Sequence, residues 1–140
     1  MMNKWSSQTQ ESSKTLVWIA RFTKPYHLDC HASDQLKTAV DALFASRRTL
    51  MNSYIFTFFL EKGNNARIFE NNQADLHGAV EKLSKTLHDE ISIQRPEYLK
   101  KLLTKIHDKC VYVEHRQKIL LNHCKEGYDY NFWKFEEQPF

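Results

Sequence analysis

Glycine and proline are scarce in this sequence, with three of each among 140 residues. Strands are joined by tight turns, and tight turns rely on these two residues, so their scarcity argues against a β-rich fold. The glycines stand singly at Gly63, Gly78 and Gly127, which leaves no glycine-rich loop to cradle a phosphate. The composition therefore predicts an all-α chain, and its length suits a single domain.

Cysteine is also scarce, with only three residues and no C-x-x-C pair. An odd number without framework spacing indicates reduced thiols, which are typical of a cytoplasmic or nuclear protein. Zinc would need about four converging ligands. The candidate ligand groups are smaller than that: His27, Cys30 and His31 form one, and His107 with Cys110 forms the other. We therefore expect no metal and no cofactor.

Catalytic side chains are not evident either. A cysteine nucleophile needs a lowered pKa and a base that faces it. His123 directly precedes Cys124, but adjacent residues of a helix do not face each other. Carboxylates such as Glu70 and Asp75 stand singly on predicted helices, where a solvated face is their ordinary place. We expect no catalytic residue in this chain.

Long apolar runs and strong net charge are missing as well. The longest apolar run, residues 16–20, falls far short of the roughly 20 residues that a membrane span requires, so no membrane partner is expected. The net charge is only +3, and acids and bases are interleaved, so no nucleic-acid partner is expected. A weaker alternative is a basic nucleic-acid binder, which would depend on four cations facing one another: Arg47, Arg48, Arg116 and Lys118.

Three regions differ in composition. Residues 1–14 are polar and predict a disordered tail. Residues 15–32 hold a short apolar run and a proline, which predict a short irregular or partly helical segment. Residues 33–140 predict a helical domain.

Apolar residues recur at steps of three and four along most of that domain. They predict a first helix over residues 34–60, with Ser33 as its N-cap, and a second over residues 65–88. A loop precedes a third helix of about 30 residues, which Pro96 can begin. The expected architecture is an antiparallel bundle of about three long helices, with an irregular N-terminal segment and an aromatic C-terminal tail.

Two glycines stand where helices are predicted to end. Gly63 follows the first helix and Gly127 follows the third. Glycine readily takes the left-handed conformation that closes many helices, so both are predicted as C′ residues.

The last turns of the first helix, residues 54–60, are apolar around the whole circumference. Such a helix end is expected to be buried between neighbouring helices, or else to present one side to a partner. We predict burial. The predicted core contains ten side chains: Tyr54, Phe58, Phe69, Leu76, Val80, Leu83, Ile106, Val113, Leu120 and Trp133.

Several blocks of sequence together resemble one known domain. They are LKTAVDALFASRRTLM (residues 36–51), SYIFTFFLEK (53–62), IFENNQADL (68–76), VEKLS (80–84) and DKCVYVEHRQKILLNHCKEGYDYNFWKFEE (108–137). In order and spacing they are similar to the Ariadne domain, the C-terminal helical domain of Ariadne-type RING-between-RING (RBR) ubiquitin ligases. IFENNQADL and the EGYD…W ending are the most specific parts.

The resemblance implies a regulatory role. In that family the Ariadne domain folds over the catalytic cysteine of a zinc module and silences it, until a neddylated cullin-RING ligase binds. Glu81 matches an acidic position of this autoinhibitory contact, and we expect Asn72, Asp75 and His77 on the same helix to contribute polar contacts. The expected partners are therefore the catalytic zinc module of an RBR ligase, a neddylated cullin-RING ligase, or both.

The chain departs from the family in two respects. The family's first long helix and its contact residues have no match in residues 1–33, and the cysteine-rich zinc modules are missing. The chain as given is therefore expected to be non-catalytic. Two interpretations stay open: a free-standing regulatory domain, or the C-terminal part of a complete E3 ubiquitin ligase.

Overall fold

The structure, a computed structural model, describes residues 30–89 and 96–136. These residues form three helices: α1 (Cys30–Phe59), α2 (Asn64–Asp89) and α3 (Pro96–Asp129). The predicted all-α fold is confirmed, and the described part of the chain has no β-strand beyond one isolated bridge. None of the three described helices is long and apolar enough to cross a membrane.

Each helix packs against the other two. Near the loop between α1 and α2, the Gln73 amide donates to the Ser53 hydroxyl over 2.8 Å. Farther from the loop, the Arg47 guanidinium donates to the Ser84 hydroxyl over 3.1 Å. Residues with higher numbers in α1 therefore contact residues with lower numbers in α2, so these two helices are antiparallel. Most of the predicted N-terminal regions, residues 1–29, and residues 90–95 of the predicted loop lie outside the described residues.

The start of α1 differs from the prediction. The helix begins at Cys30, so Ser33 lies inside it and is not its N-cap. No helix breaker separates Cys30 from Ser33, and an N-cap contributes only about 1 kcal/mol. Helical propagation therefore extends past the candidate cap, and α1 begins three residues before the predicted N-cap.

The prediction that Gly63 is a left-handed C′ residue is wrong. No glycine among the described residues has a positive φ, and the Gly63 carbonyl accepts from the Arg67 N–H over 3.0 Å, as an N-cap of α2 does. The end of α1 is closed by the C-terminal tail instead. The Glu136 N–H donates to the Phe59 carbonyl over 2.9 Å, and so satisfies a group that the helix leaves without an internal partner.

The prediction for Gly127 is wrong for a related reason. Helix α3 continues through it to Asp129, and the left-handed residue is Asn131, with φ of 54°. The Phe132 N–H donates to the Gly127 carbonyl over 3.0 Å, and the Asn131 N–H donates to the Tyr128 carbonyl over 3.4 Å. These two bonds form a Schellman motif, which turns the tail back towards the bundle.

All three helices and the tail contribute to one apolar core. Eight of the ten predicted core side chains are buried in it: Phe69, Leu76, Val80, Leu83, Ile106, Val113, Leu120 and Trp133. The other two predictions are wrong, because Tyr54 is 38% exposed and Phe58 is 67% exposed. Phe56 and Leu60, on the inward side of the same helix end, pack on the core.

The tail packs on the bundle through Trp133, one of the predicted core residues. Trp133 is buried, and its indole N–H donates to the Cys124 carbonyl over 2.9 Å. Its ring makes edge contacts with Phe56 and Phe69 at 5.3 and 5.5 Å between centroids. A Cβ at Gly127 would overlap the Trp133 indole, so the glycine makes room for this ring.

Candidate interaction surface

Polar groups of α1 and α2 meet on one partly exposed side of the bundle. The Tyr54 hydroxyl lies 3.2 Å from His77 Nδ1. Glu81 is exposed and lies four residues beyond His77, one turn along α2. Partial burial, and then the negative charge of Glu81, raise the pKa of the Tyr54 phenol above its ordinary value. The phenol therefore stays protonated and available as a donor at this surface.

Apolar side chains adjoin this polar group. Phe58 is one turn from Tyr54 on α1, and its ring meets the Phe59 ring at 5.1 Å in an edge-to-face arrangement. Ile55 is 55% exposed on the same helix end. We call the four exposed residues Tyr54, Ile55, Phe58 and Glu81, together with the partly buried His77, the α1–α2 surface. It combines aromatic and aliphatic area with one acidic group.

Asn72 and Asp75, the other two predicted contact residues, lie in a different environment. The Arg116 guanidinium of α3 donates to the Asn72 side-chain oxygen over 3.2 Å and to Asp75 Oδ2 over 2.7 Å. Both residues therefore tie α2 to α3. His77, by contrast, contacts α1, so the structure does not unite the four predicted contact residues in one cluster.

The cations of the nucleic-acid alternative do not form an exposed groove. Arg47 is buried and bonds to Ser84, while Arg116 is occupied by Asp75 and Asn72. A phosphate-binding surface needs exposed cations grouped on one face. Two of the four residues on which this alternative depends are therefore committed to helix packing.

Cys110 and Cys124 are poor nucleophiles. Burial, together with the nearby Glu114 carboxylate, raises the pKa of the buried Cys110 thiol to about 11. Burial also raises the pKa of the Cys124 thiol. Both side chains are thus protonated at neutral pH, and a protonated thiol is not the nucleophilic form. Within residues 30–89 and 96–136, no three or more His, Cys, Asp or Glu side chains are grouped as metal ligands.

The sequence indicated Glu81 and His77 but missed the exposure of their neighbours on α1. Tyr54 and Phe58 were predicted as core, and Ile55 was assigned no role. An apolar helix end gives the same sequence signal whether another helix covers it or not. The only available signal was that apolar residues surround the end of α1 on all sides, more than two neighbouring helices can cover.

No family model matches the chain. Curated relatives do match it over 102 residues, 73% of the chain. The E3 ubiquitin-protein ligase ari-1.1 of Caenorhabditis elegans is 49% identical to the chain over this length. The E3 ubiquitin-protein ligase ARIH1 of Homo sapiens is 46% identical. The E3 ubiquitin-protein ligase ariadne-1 of Drosophila melanogaster is 44% identical over the same length.

Over these 102 residues the chain is similar to Ariadne-type E3 ubiquitin ligases. The resemblance seen in the sequence blocks is thereby confirmed. The Ariadne-family match spans 20% of the worm relative and 18% of the human one. The chain thus covers about a fifth of the length of the ligases that it matches.

Proposed function

We propose that this Ariadne-family region is a non-catalytic interaction domain that acts in ubiquitination. It docks on the catalytic zinc module of an RBR ligase and holds that module inactive, and a neddylated cullin-RING ligase relieves the contact. The observation that carries the proposal is the α1–α2 surface, where Phe58 and Ile55 are exposed near Tyr54 on α1 and Glu81 is exposed one turn from His77 on α2.

The composition of this surface suits protein binding. Aromatic side chains are enriched among the residues that dominate binding energy, and a charged group at the rim fixes orientation and excludes wrong partners. The Phe58 and Ile55 side chains offer apolar anchors, and Glu81 offers a carboxylate to a cation or a helix N-terminus of the partner. The partner surface should therefore be basic, with an apolar recess.

The chemistry of the described side chains supports a non-catalytic role. Ubiquitin transfer through a covalent intermediate needs a reactive thiolate. Cys110 and Cys124 are held as thiols by burial, and Cys110 lies in the core. Neither offers an activated nucleophile.

A binding experiment tests the proposal. The chain is titrated, by calorimetry, against a recombinant catalytic zinc module of an Ariadne-type ligase and against a neddylated cullin-RING complex. Phe58→Asp should weaken binding by about 2 kcal/mol or more, as loss of an apolar anchor does. Glu81→Lys should weaken it by a similar amount, because it places like charges opposite each other. The matched control Asp108→Lys reverses an exposed acid on α3 and should leave affinity unchanged. If the chain binds neither partner, the proposal is refuted.

The second interpretation is that the chain is the C-terminal part of a complete E3 ubiquitin ligase. It is favoured by the length of the relatives, since the chain spans about a fifth of each. The α1–α2 surface would then contact a zinc module of the same polypeptide. Sequencing of full-length transcripts decides between the two: in-frame cysteine- and histidine-rich exons upstream support the ligase, and their absence supports the free-standing domain.

A further inference from the structure

A cavity of about 170 Å³ opens between α1 and α3, away from the α1–α2 surface. Its lining is mainly apolar and includes Phe56, Leu121 and Cys124, with Asn52 and Thr49 adding polar atoms. Apolar cavities of about 150 Å³ bind a benzene molecule. The cavity is therefore large enough for one phenyl ring.

The backbone of the tail is aimed at this cavity. Leu60 and Phe135 form an antiparallel bridge, flanked by bonds from the Glu61 N–H to the Lys134 carbonyl and from the Glu136 N–H to the Phe59 carbonyl. Because the pairing is antiparallel, the chain direction at Glu136 runs back along α1, towards its N-terminus.

The cavity lies on the same line of α1. Phe59, Phe56, Asn52 and Thr49 are spaced by three or four residues, so they follow one another along a single side of the helix. Glu136 is bonded at the first of these positions, and the other three line the cavity. The Phe135 ring already contacts the Phe56 ring, at 5.8 Å between centroids.

Residues 137–140 are long enough to cover the distance along α1 from Phe59 to Asn52. Seven residues separate Phe59 from Asn52, a rise of about 10 Å at 1.5 Å per residue. The four residues after Glu136 can span up to about 14 Å when extended. The last of them, Phe140, can therefore reach the cavity.

The charges around the cavity are complementary to those of the tail. Lys118 and Lys125 lie three residues before and four residues after Leu121, and both are exposed. Arg48 is exposed one turn before Asn52. Lys125 has a distant ion pair with Asp129 at 4.0 Å, which is weak at such exposure. Glu136, which is bonded at Phe59, and Glu137, the next residue in the sequence, carry the opposite charge.

We propose that the cavity receives residues 137–140 of the same chain, with the Phe140 ring as the anchor and Glu137 opposite the lysines of α3. The tail then ties α1 to α3 on the side of α1 opposite the Tyr54–His77 contact. The assignment goes beyond the proposed function and does not depend on it.

The reactivity of Cys124 tests this proposal, because Cys124 lines the cavity. In the full chain carrying Cys30→Ser and Cys110→Ala, Cys124 is the single thiol. Its rate of modification by an aromatic disulfide reagent should rise about tenfold in Phe140→Ala, which corresponds to about 1.4 kcal/mol of docking free energy. The control Phe58→Ala removes an exposed aromatic ring elsewhere and should leave the rate unchanged.

Two further measurements decide the occupant. A synthetic acetyl-Glu-Gln-Pro-Phe peptide added to Phe140→Ala should slow the reaction again, whereas a general loosening of the fold would not be reversed by the peptide. An unchanged rate in Phe140→Ala overturns the proposal. Protection of Cys124 that increases with protein concentration also overturns it, because the occupant would then belong to a second copy of the chain.

Discussion

Two glycines differ in the space that is available for an added side chain. Gly127 faces the Trp133 indole, whereas the space around Gly78 is open within 4 Å. Gly127→Ala should lower the free energy of unfolding by about 1–3 kcal/mol, because the new methyl group displaces a buried ring. Gly78→Ala, in the middle of α2, should raise it by up to about 1 kcal/mol, because alanine loses less backbone entropy in a helix. Urea denaturation followed by circular dichroism measures both, and a loss of equal size in both variants would contradict the assignment.

Phe58 is the residue for which sequence and structure disagree most. Because its side chain is 67% exposed, Phe58→Ala should cost less than about 1 kcal/mol in the free energy of unfolding. Phe69 is fully buried and contacts Phe56 and Trp133, so Phe69→Ala should cost about 3–5 kcal/mol. The pair is compared by chemical denaturation under one set of conditions. If Phe58→Ala lowered the free energy of unfolding nearly as much as Phe69→Ala, Phe58 would have to be buried in the core.

At the scale of elements, the sequence predicted well whatever depends on local pattern. The apolar stripe of α2 identified its extent within a residue or two, and its stripe residues Leu76, Val80 and Leu83 are buried. The capping residues of the helices were predicted poorly: Ser33, Gly63 and Gly127 do not have their predicted roles. The carbonyl at the end of α1 is satisfied by Glu136, more than 70 positions away, and no local pattern encodes that contact. The exposure of Tyr54 was missed for the same reason, because burial depends on which other element covers a face.

The junction between α3 and the tail should respond to pH through His123. Its ring lies among Phe69, Phe132 and Trp133, and its Nδ1 is buried without a hydrogen-bond partner. Burial lowers the pKa of His123, against a smaller opposing effect of the Glu126 carboxylate. The unfolded chain, with a histidine pKa of about 6.5, therefore binds the proton more readily. Stability should fall as the pH drops through that value, and level off below the lower pKa of the folded state.

The substitution His123→Gln checks this pH dependence. It removes the titrating group, so the difference in free energy of unfolding between neutral and mildly acidic pH should shrink. The exposed His115, on the same helix, offers a matched control, and His115→Gln should retain the decline seen in the unmodified chain. An identical pH profile in the His123 variant would show that the tail junction does not carry the effect.

At the scale of the whole molecule, α1 lies between two surfaces. At 100° per residue, Phe56 and Asn52 are about 200° and 160° from Tyr54 around the helix axis, so the cavity and the Tyr54–His77 contact lie on opposite sides of α1. They share no hydrogen bond or ring contact among those described for Tyr54 and Phe56. Sites without common partners usually contribute additively, within about 0.5 kcal/mol.

The two surfaces should therefore act independently. Phe140→Ala should leave the affinity for the catalytic zinc module unchanged within about 0.5 kcal/mol, and Glu81→Lys should leave the reactivity of Cys124 unchanged. The double variant, compared with both single variants by calorimetry and by thiol modification, completes the cycle. A coupling energy clearly above that value would mean that α1 transmits tail docking to the α1–α2 surface. In that case the tail would set the strength of the regulatory contact, in addition to closing its own side of the bundle.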